Sequence, residues 1–286
     1  GTGLGTAAWV ADADTGERNF TISVGVDEDP RRLFLSADGA RLLVVGTRAS
    51  RFYRASDGAS LGSWGQVTGE LPLAQSPARD RVLLADNSGG VALRSFNDGQ
   101  AVADWFAHLG GVASGAFSPD GSIIATAGGV GPAQAISLWT TSGALVRTIE
   151  GVHTLSITCL AFTPDGSRLL SASLDGTIKM WRVSDGANVI TWSAGGNAHA
   201  TAMDIDPATD RFYYGRSDGA VIKALIPPLP PLCRADLNND GELTFDDIQA
   251  FVALYNANDP RADFNSDGEW TFDDIQAFIA AYNAGC

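Results

Sequence analysis

Apolar and polar residues alternate in short runs over most of the chain, and each run stops at a turn rich in Gly, Asp and Ser. "LFLSADGARLLVVG", "PLAQSPARDRVLLAD", "GAFSPDGSIIATAG", "LAFTPDGSRLLSAS" and "MDIDPATDRFYYGRSDG" each set such a turn between two apolar runs. Short alternating runs bounded by turn formers predict β-strands. The anchors Ser36, Ser76, Ser118, Thr163 and Asp206 are 40, 42, 45 and 43 residues apart. A third run in each unit ends in a segment such as "FYRASDG", "SLWTTSG" or "MWRVSDG". A period of about 40 with four short strands per unit is what a propeller blade requires. The expected fold class is therefore mainly β, a β-propeller of about five blades over residues 1–226. Residues 1–26 read as the last two strands of a blade and 199–226 as three strands of another, with four complete blades between. Either the N-terminal strand completes the final blade of a small ring or upstream blades are absent, and the opening in mid-blade favours the second. A blade without a neighbour exposes apolar surface.

The pattern changes at "IPPLPPLC", whose four prolines favour extended polyproline II. Residues 227–232 are read as a semi-rigid linker and 233–286 as a separate, small, all-α domain. Charge changes at the same place. The tail holds nine Asp and two Glu against two Arg, a net −9 of the chain's −14. Such a balance argues against nucleic acid as a partner, and no run is long and apolar enough to insert in a membrane. Cys159 lies in an apolar run and is expected in the core. Cys233 and Cys286 bracket the acidic tail, and that placement points to a disulfide clasp and an oxidising compartment.

Within the tail, "RADLNNDGELTFDDIQAFVALYNA" (234–257) and "RADFNSDGEWTFDDIQAFIAAYNA" (261–284) differ at five of twenty-four positions. Each copy carries oxygen-bearing residues at loop positions 1, 3, 5 and 12 with Gly at 6. The first set is Asp236, Asn238, Asp240 and Asp247, with Glu242 at position 7 and Thr244 at position 9; the second is Asp263, Asn265, Asp267 and Asp274, with Glu269 and Thr271. Alternate oxygens wrap a hard cation, position 7 offers a backbone carbonyl, and calcium suits the spacing better than magnesium. Two calcium ions are expected. Phe245, Ile248, Phe251 or Val252, and Tyr255 recur at helical spacing after the first loop, as do Phe272, Ile275, Phe278 or Ile279, and Tyr282 after the second. Thr244 and Thr271 are placed to cap those helices.

"GVHTLSITCLAFTPDGSRLLSASLDGTIKMWRV" resembles a WD repeat. The resemblance is specific across residues 150–186 and implies a buried structural network of His153, Ser171 or Ser173, Asp175 and Trp181. His108 and His199 occupy related places, and Trp139 survives in a blade whose Asp is missing or displaced. The tail resembles a dockerin, the duplicated loop–helix module of secreted bacterial proteins that here ends in "AGC". That resemblance implies calcium-dependent docking onto a cohesin-like receptor. The positions carried over are Phe245, Asp246, Val252, Ala253 and Ala257 in the first copy, and Phe272, Asp273, Ile279, Ala280 and Ala284 in the second. Near-identity of the two sets implies a pseudo-twofold surface. Phe-Asp at loop positions 10 and 11 departs from the small hydroxyl residues of better-known dockerins, and Phe245 and Phe272 read equally well as helix-pair core.

No nucleophile elbow, phosphate loop or HExxH occurs, and the three histidines fall one per blade. The chain is therefore expected to be no enzyme, and the dockerin resemblance, with the placement of Cys233 and Cys286, implies an extracellular or cell-surface interaction and anchoring protein. Its propeller would present a surface to a protein or glycan ligand. The rival expectation makes the propeller a carbohydrate-binding or glycoside-hydrolysing module of a polysaccharide-degrading complex.

Overall fold

The computed structural model describes residues 7–11, 18–23, 30–46, 50–64, 70–130, 133–196, 198–209, 211–227, 235–237, 243–265 and 267–284. Strands β1 (Ala7–Ala11) and β2 (Arg18–Ser23) form a two-stranded sheet. Blade I follows, with β3 (Pro30–Leu35), β4 (Arg41–Gly46), β5 (Ser50–Arg54) and β6 (Ser60–Ser63). Blade II holds β7 (Leu71–Gln75), β8 (Arg81–Ala85), β9 (Gly90–Ser95) and β10 (Ala101–Phe106). Blade III holds β11 (Val112–Phe117), β12 (Ile123–Val130), β13 (Ala133–Thr140) and β14 (Leu145–Glu150). Blade IV holds β15 (Ile157–Phe162), β16 (Arg168–Ser173), β17 (Thr177–Arg182) and β18 (Asn188–Ser193). Blade V has three strands, β19 (Ala200–Asp206), β20 (Arg211–Arg216) and β21 (Val221–Leu225). Every blade is an antiparallel meander, and among the described residues the β1–β2 ladder joins no other strand.

The periodic anchor has a local cause. In each of blades I to IV the anchor hydroxyl is bonded to an Asp of its own turn and accepts the N–H that opens the next strand. Ser118 Oγ donates to Asp120 Oδ1 at 2.6 Å and accepts from Ile123 N at 2.9 Å. Ser76 repeats this with Asp80 and Arg81 at 2.7 and 3.0 Å. Gly121 and Gly166 complete two of these turns with φ near 70°, the left-handed region that glycine enters without a Cβ penalty. In all five blades the ladder between first and second strands shifts register at the start of the first strand, for example between Ile157 and Cys159. A bulge at that repeated place adds the twist that splays blades apart.

Adjacent blades are joined by apolar side chains instead of ladders. Leu43, Val45, Phe52, Trp64, Val82, Leu84 and Phe96 close the seam between blades I and II, and equivalent clusters fill the next three seams. Trp64 Nε1 donates across its seam to Ser95 O at 3.1 Å, which satisfies the one polar atom of a fully buried indole. Cys159 is half-buried against the seam of blades IV and V, and burial pushes its thiol pKa up.

The C-terminal region forms α1 (Phe245–Asn256) and α2 (Phe272–Ala284). Phe251 and Phe278 stack between them, ring centroids 4.1 Å apart and 4° from parallel, with Phe264 edge-on to both. A single 3-10 turn, Pro260–Ala262, enters the second loop where the sequence pattern gave only coil. Most of the proline-rich stretch and Cys233, Asn238, Asp240, Glu242 and Cys286 lie outside the described residues. No helix among the described residues is long and apolar enough to cross a membrane.

Candidate functional site

Both helices of the tail begin on the expected cap. Thr244 accepts from Asp246 N at 3.3 Å, while Asp247 reaches back to Thr244 N at 3.0 Å, a full capping box. Thr271 and Asp274 repeat it, at 3.3 and 2.9 Å. Asp247 and Asp274 are fully buried, as a shared loop-and-helix residue must be if its oxygens face inward. In the second loop, Asp274 Oδ1 also accepts from Asn265 N at 3.2 Å, and Asp263 accepts from Asp267 N and Gly268 N. Gly268 sits at φ 81°, the sharp turn the spacing demands.

One oxygen each of Asp263, Asp267 and Asp274 lies within 4.8 Å of the other two. Three carboxylates at that separation repel, by about 1 kcal/mol per pair in water and more where solvent is displaced. The neighbouring Arg261 is engaged elsewhere, bidentate to Asp259 at 2.9 Å. An all-oxygen set of this kind fits a hard cation. Asn265 turns its amide oxygen to Asp267 N at 3.0 Å, and Glu269 lies exposed. In the first loop the described members are Asp236, Thr244 and Asp247, with Asp236 buried.

The positions carried over as docking residues fall on one side of each helix, at spacings of one, seven, eight and twelve from the first. Phe245 is 66% exposed and Phe272 65%; Val252 and Ile279 are each 50% exposed. Asp246, Ala253, Ala257, Asp273 and Ala280 are exposed as well, and the side chain of Ala284 is not described. The core reading of Phe245 and Phe272 is thereby corrected. Phe251 and Phe278 fill the space between the helices, and the first residue of each helix points outward.

In blade IV a polar chain runs through the apolar seam. Trp181 Nε1 donates to Ser171 Oγ at 2.8 Å, and Ser171 Oγ lies 2.8 Å from His153 Nε2. His153 Nδ1 lies 2.9 Å from Asp175 Oδ2, and Thr177 Oγ1 donates to Asp175 Oδ1 at 2.6 Å. With Asp175 accepting, the proton belongs on Nδ1 and Ser171 donates to Nε2. Burial pushes the His153 imidazole below its usual 6.5, against the pull of Asp175. Burial alone would raise Asp175, but the Thr177 hydroxyl and the N–H groups of Thr177 and Thr154 hold it at about 2. Ser173 is outside the relay; its hydroxyl donates to Leu155 O at 2.9 Å and braces the turn. Blade III carries a shorter version, with His108 Nε2 2.9 Å from Thr126 Oγ1 and Trp139 Nε1 donating to the same oxygen at 2.8 Å.

Residues 143–182 match the family described as "WD domain, G-beta repeat". The chain carries a WD repeat in a five-bladed propeller. The WD blade is the one with the complete relay, and its Trp181 closes the matched segment. Sequence similarity to three longer proteins covers longer stretches of the chain. The chain is 28% identical over 134 residues to the transcriptional corepressor LEUNIG_HOMOLOG of Arabidopsis thaliana, which covers 47% of this chain and 14% of that protein. It is 28% identical over 102 residues to periodic tryptophan protein 2 of Arabidopsis thaliana, 36% of this chain and 11% of that one. It is 27% identical over 112 residues to periodic tryptophan protein 2 homolog of Caenorhabditis elegans, 39% and 12%. The chain thus spans at most 14% of these relatives' lengths.

These relatives overturn the expectation of an extracellular or cell-surface location, because transcriptional corepression takes place inside cells. The inference of an oxidising compartment for Cys233 and Cys286 loses its footing with it. Thr126 escaped the sequence reading although it lies eight residues after Ser118, as Ser171 lies eight after Thr163. His199 enters blade V through its backbone, with Ser217 N donating to its carbonyl at 2.9 Å.

The WD relay makes a pH prediction. His153 and His108 are both pushed below 6.5 by burial, so the folded state holds them neutral while the unfolded chain takes up protons. Stability is expected to fall as pH drops below 6.5, and His153→Gln should make that fall shallower. Melting temperatures between pH 7.5 and 5.5 check it; equal slopes for wild type and variant would exclude the relay as the cause.

Proposed function

We propose that the protein is a non-enzymatic adaptor in two parts, residues 1–226 and 233–286. The WD propeller binds a protein partner. The duplicated loop–helix tail, ordered by two calcium ions, docks onto a cohesin-like receptor. The observation that carries this reading is the paired exposure of Phe245 with Val252 and of Phe272 with Ile279 on helices whose cores are already filled. Apolar side chains repeated in duplicate on a polar, acidic unit have no role in its own packing, and such exposed patches mark contact surfaces. The converging carboxylates of the second loop support the calcium part. The propeller part is supported by the WD match and by a relative named as a transcriptional corepressor.

Duplication gives the test its form. Against a panel of purified cohesin domains in calcium, Phe245→Asp or Phe272→Asp alone is expected to weaken binding about twofold, because the other copy still docks. Together they should weaken it by at least about a hundredfold, on the order of 3 kcal/mol for the one anchor that each orientation then lacks. Titration calorimetry on the full chain measures both. Retention by no member of the panel, or undiminished binding by the double variant, would remove the docking surface from the proposal.

A further inference from the structure

Blade II departs from the relay in a way that opens a cleft. Opposite the second residue of the second strand, blade III places Trp139 and blade IV places Trp181, but blade II places Arg94. Leu84 stands where those blades carry the hydroxyls of Thr126 and Ser171. Without a relay to complete, Arg94 is drawn to carboxylates, its Nη2 3.5 Å from Glu70 Oε1 and 3.2 Å from Asp104 Oδ1. Beside it lies a cleft of about 440 Å³ whose walls include Glu70, Asp86, Asp104, Trp105 and Phe106.

Three features of this cleft are unfinished. Among the described residues Glu70 Oε2, a buried acceptor, has no hydrogen-bond partner, which native folds rarely leave. Three carboxyl groups face one guanidinium; burial pushes the Glu70 carboxyl up against the pull of Arg94, and the acidic groups still outnumber the one cation. Asp86 stays ionised, because the Ser88 hydroxyl and Gly90 N–H hold its carboxyl below the usual range. The Phe106 ring is 60% exposed at the rim, a flat apolar wall beside an acidic floor. Uncompensated carboxylates next to an aromatic face attract an organic cation. A neutral sugar would bring no charge to the floor.

We propose that this cleft receives the basic side chain of a partner polypeptide, its guanidinium or ammonium facing the carboxylates of Glu70, Asp86 and Asp104 and its stem lying along Phe106. This deepens the reading of the propeller as a protein-binding surface and rests on it. The test uses the full chain labelled with 5-fluorotryptophan, the Trp105 fluorine signal being assigned by Trp105→Phe. Acetyl-Gly-Arg-Gly-amide, its lysine and citrulline counterparts, and maltotriose are titrated in turn. A saturable shift with the arginine or lysine peptide is expected, at least about tenfold weaker with citrulline, which keeps the shape and loses the charge. Glu70→Gln and Phe106→Ala should each weaken it several-fold, and the exposed ring of Phe106 makes its variant safe for folding. Equal shifts with citrulline, a response to the sugar alone, or indifference to both substitutions would overturn the proposal. Tail variants that abolish docking leave this titration unchanged, so the two readings fail separately.

Discussion

Replacing Trp181 with alanine is expected to lower the unfolding free energy by about 3–5 kcal/mol, the range for truncating a buried aromatic. The indole is buried in the seam of blades III and IV among Ile157, Phe162 and Leu169, and it meets the His153 ring edge-on at 6.5 Å. Its loss leaves a cavity that two rigid sheets cannot close. It also takes the Nε1 donor from Ser171 and loosens the hydroxyl that holds His153. Trp181→Phe separates the two contributions. It retains most of the apolar bulk and loses the hydrogen bond, so about 1–2 kcal/mol is expected. Urea denaturation followed by amide exchange in β15 to β18 measures both. The relay adds a signature that packing alone would not give. In the Ser171→Ala background the extra cost of Trp181→Phe should shrink, because the indole donor has already lost its acceptor. Additive costs would mean that the four groups act as separate packing residues.

The blades could be read from the chain because their signals are local. A hydroxyl, an Asp and a Gly within four residues make the turn by themselves, and the alternation of the flanking runs fixes which side chains face the seams. The choice between Ser171 and Ser173 could not be read, since residues two apart on a strand share a face and only the position of His153 separates them. Arg94 was invisible for a related reason. An arginine in an apolar run gives no sign that it stands in the place of an indole until the ladders of three blades are compared. In the tail, the spacing of Phe245 and Ile248 is that of a helix face, and periodicity alone assigns both to the core. The first residue of a helix lies beyond the turn that packs, so Phe245 projects outward while Ile248 packs inward. The location expected for the protein came from the dockerin resemblance and from the placement of Cys233 and Cys286, and it was the part that the relatives reversed.

Calcium at a hundredfold excess over its dissociation constant is expected to stabilise the tail by about 2.7 kcal/mol per loop, and a chelator to remove that increment. Amide exchange in α1 and α2 of the full chain reads the effect, with the propeller strands as an internal control. The instructive variant is Asp267→Asn. Its Oδ1 still accepts the Glu269 N–H at 2.8 Å, and only the exposed bond that Asn265 Nδ2 donates to Oδ2 is lost, while one of three crowded charges is removed. Without calcium the variant should be more protected than wild type, because repulsion is relieved. With calcium it should be less protected, because a ligand charge is missing. Asp274→Ala should lower protection in both conditions, since it also strips the cap from α2 and the acceptor from Asn265 N. A cluster that merely shapes a turn would give Asp267→Asn the same sign with and without calcium. The crossing of the two curves is what a cation-binding loop requires, and it follows from charge alone, whatever the tail docks onto.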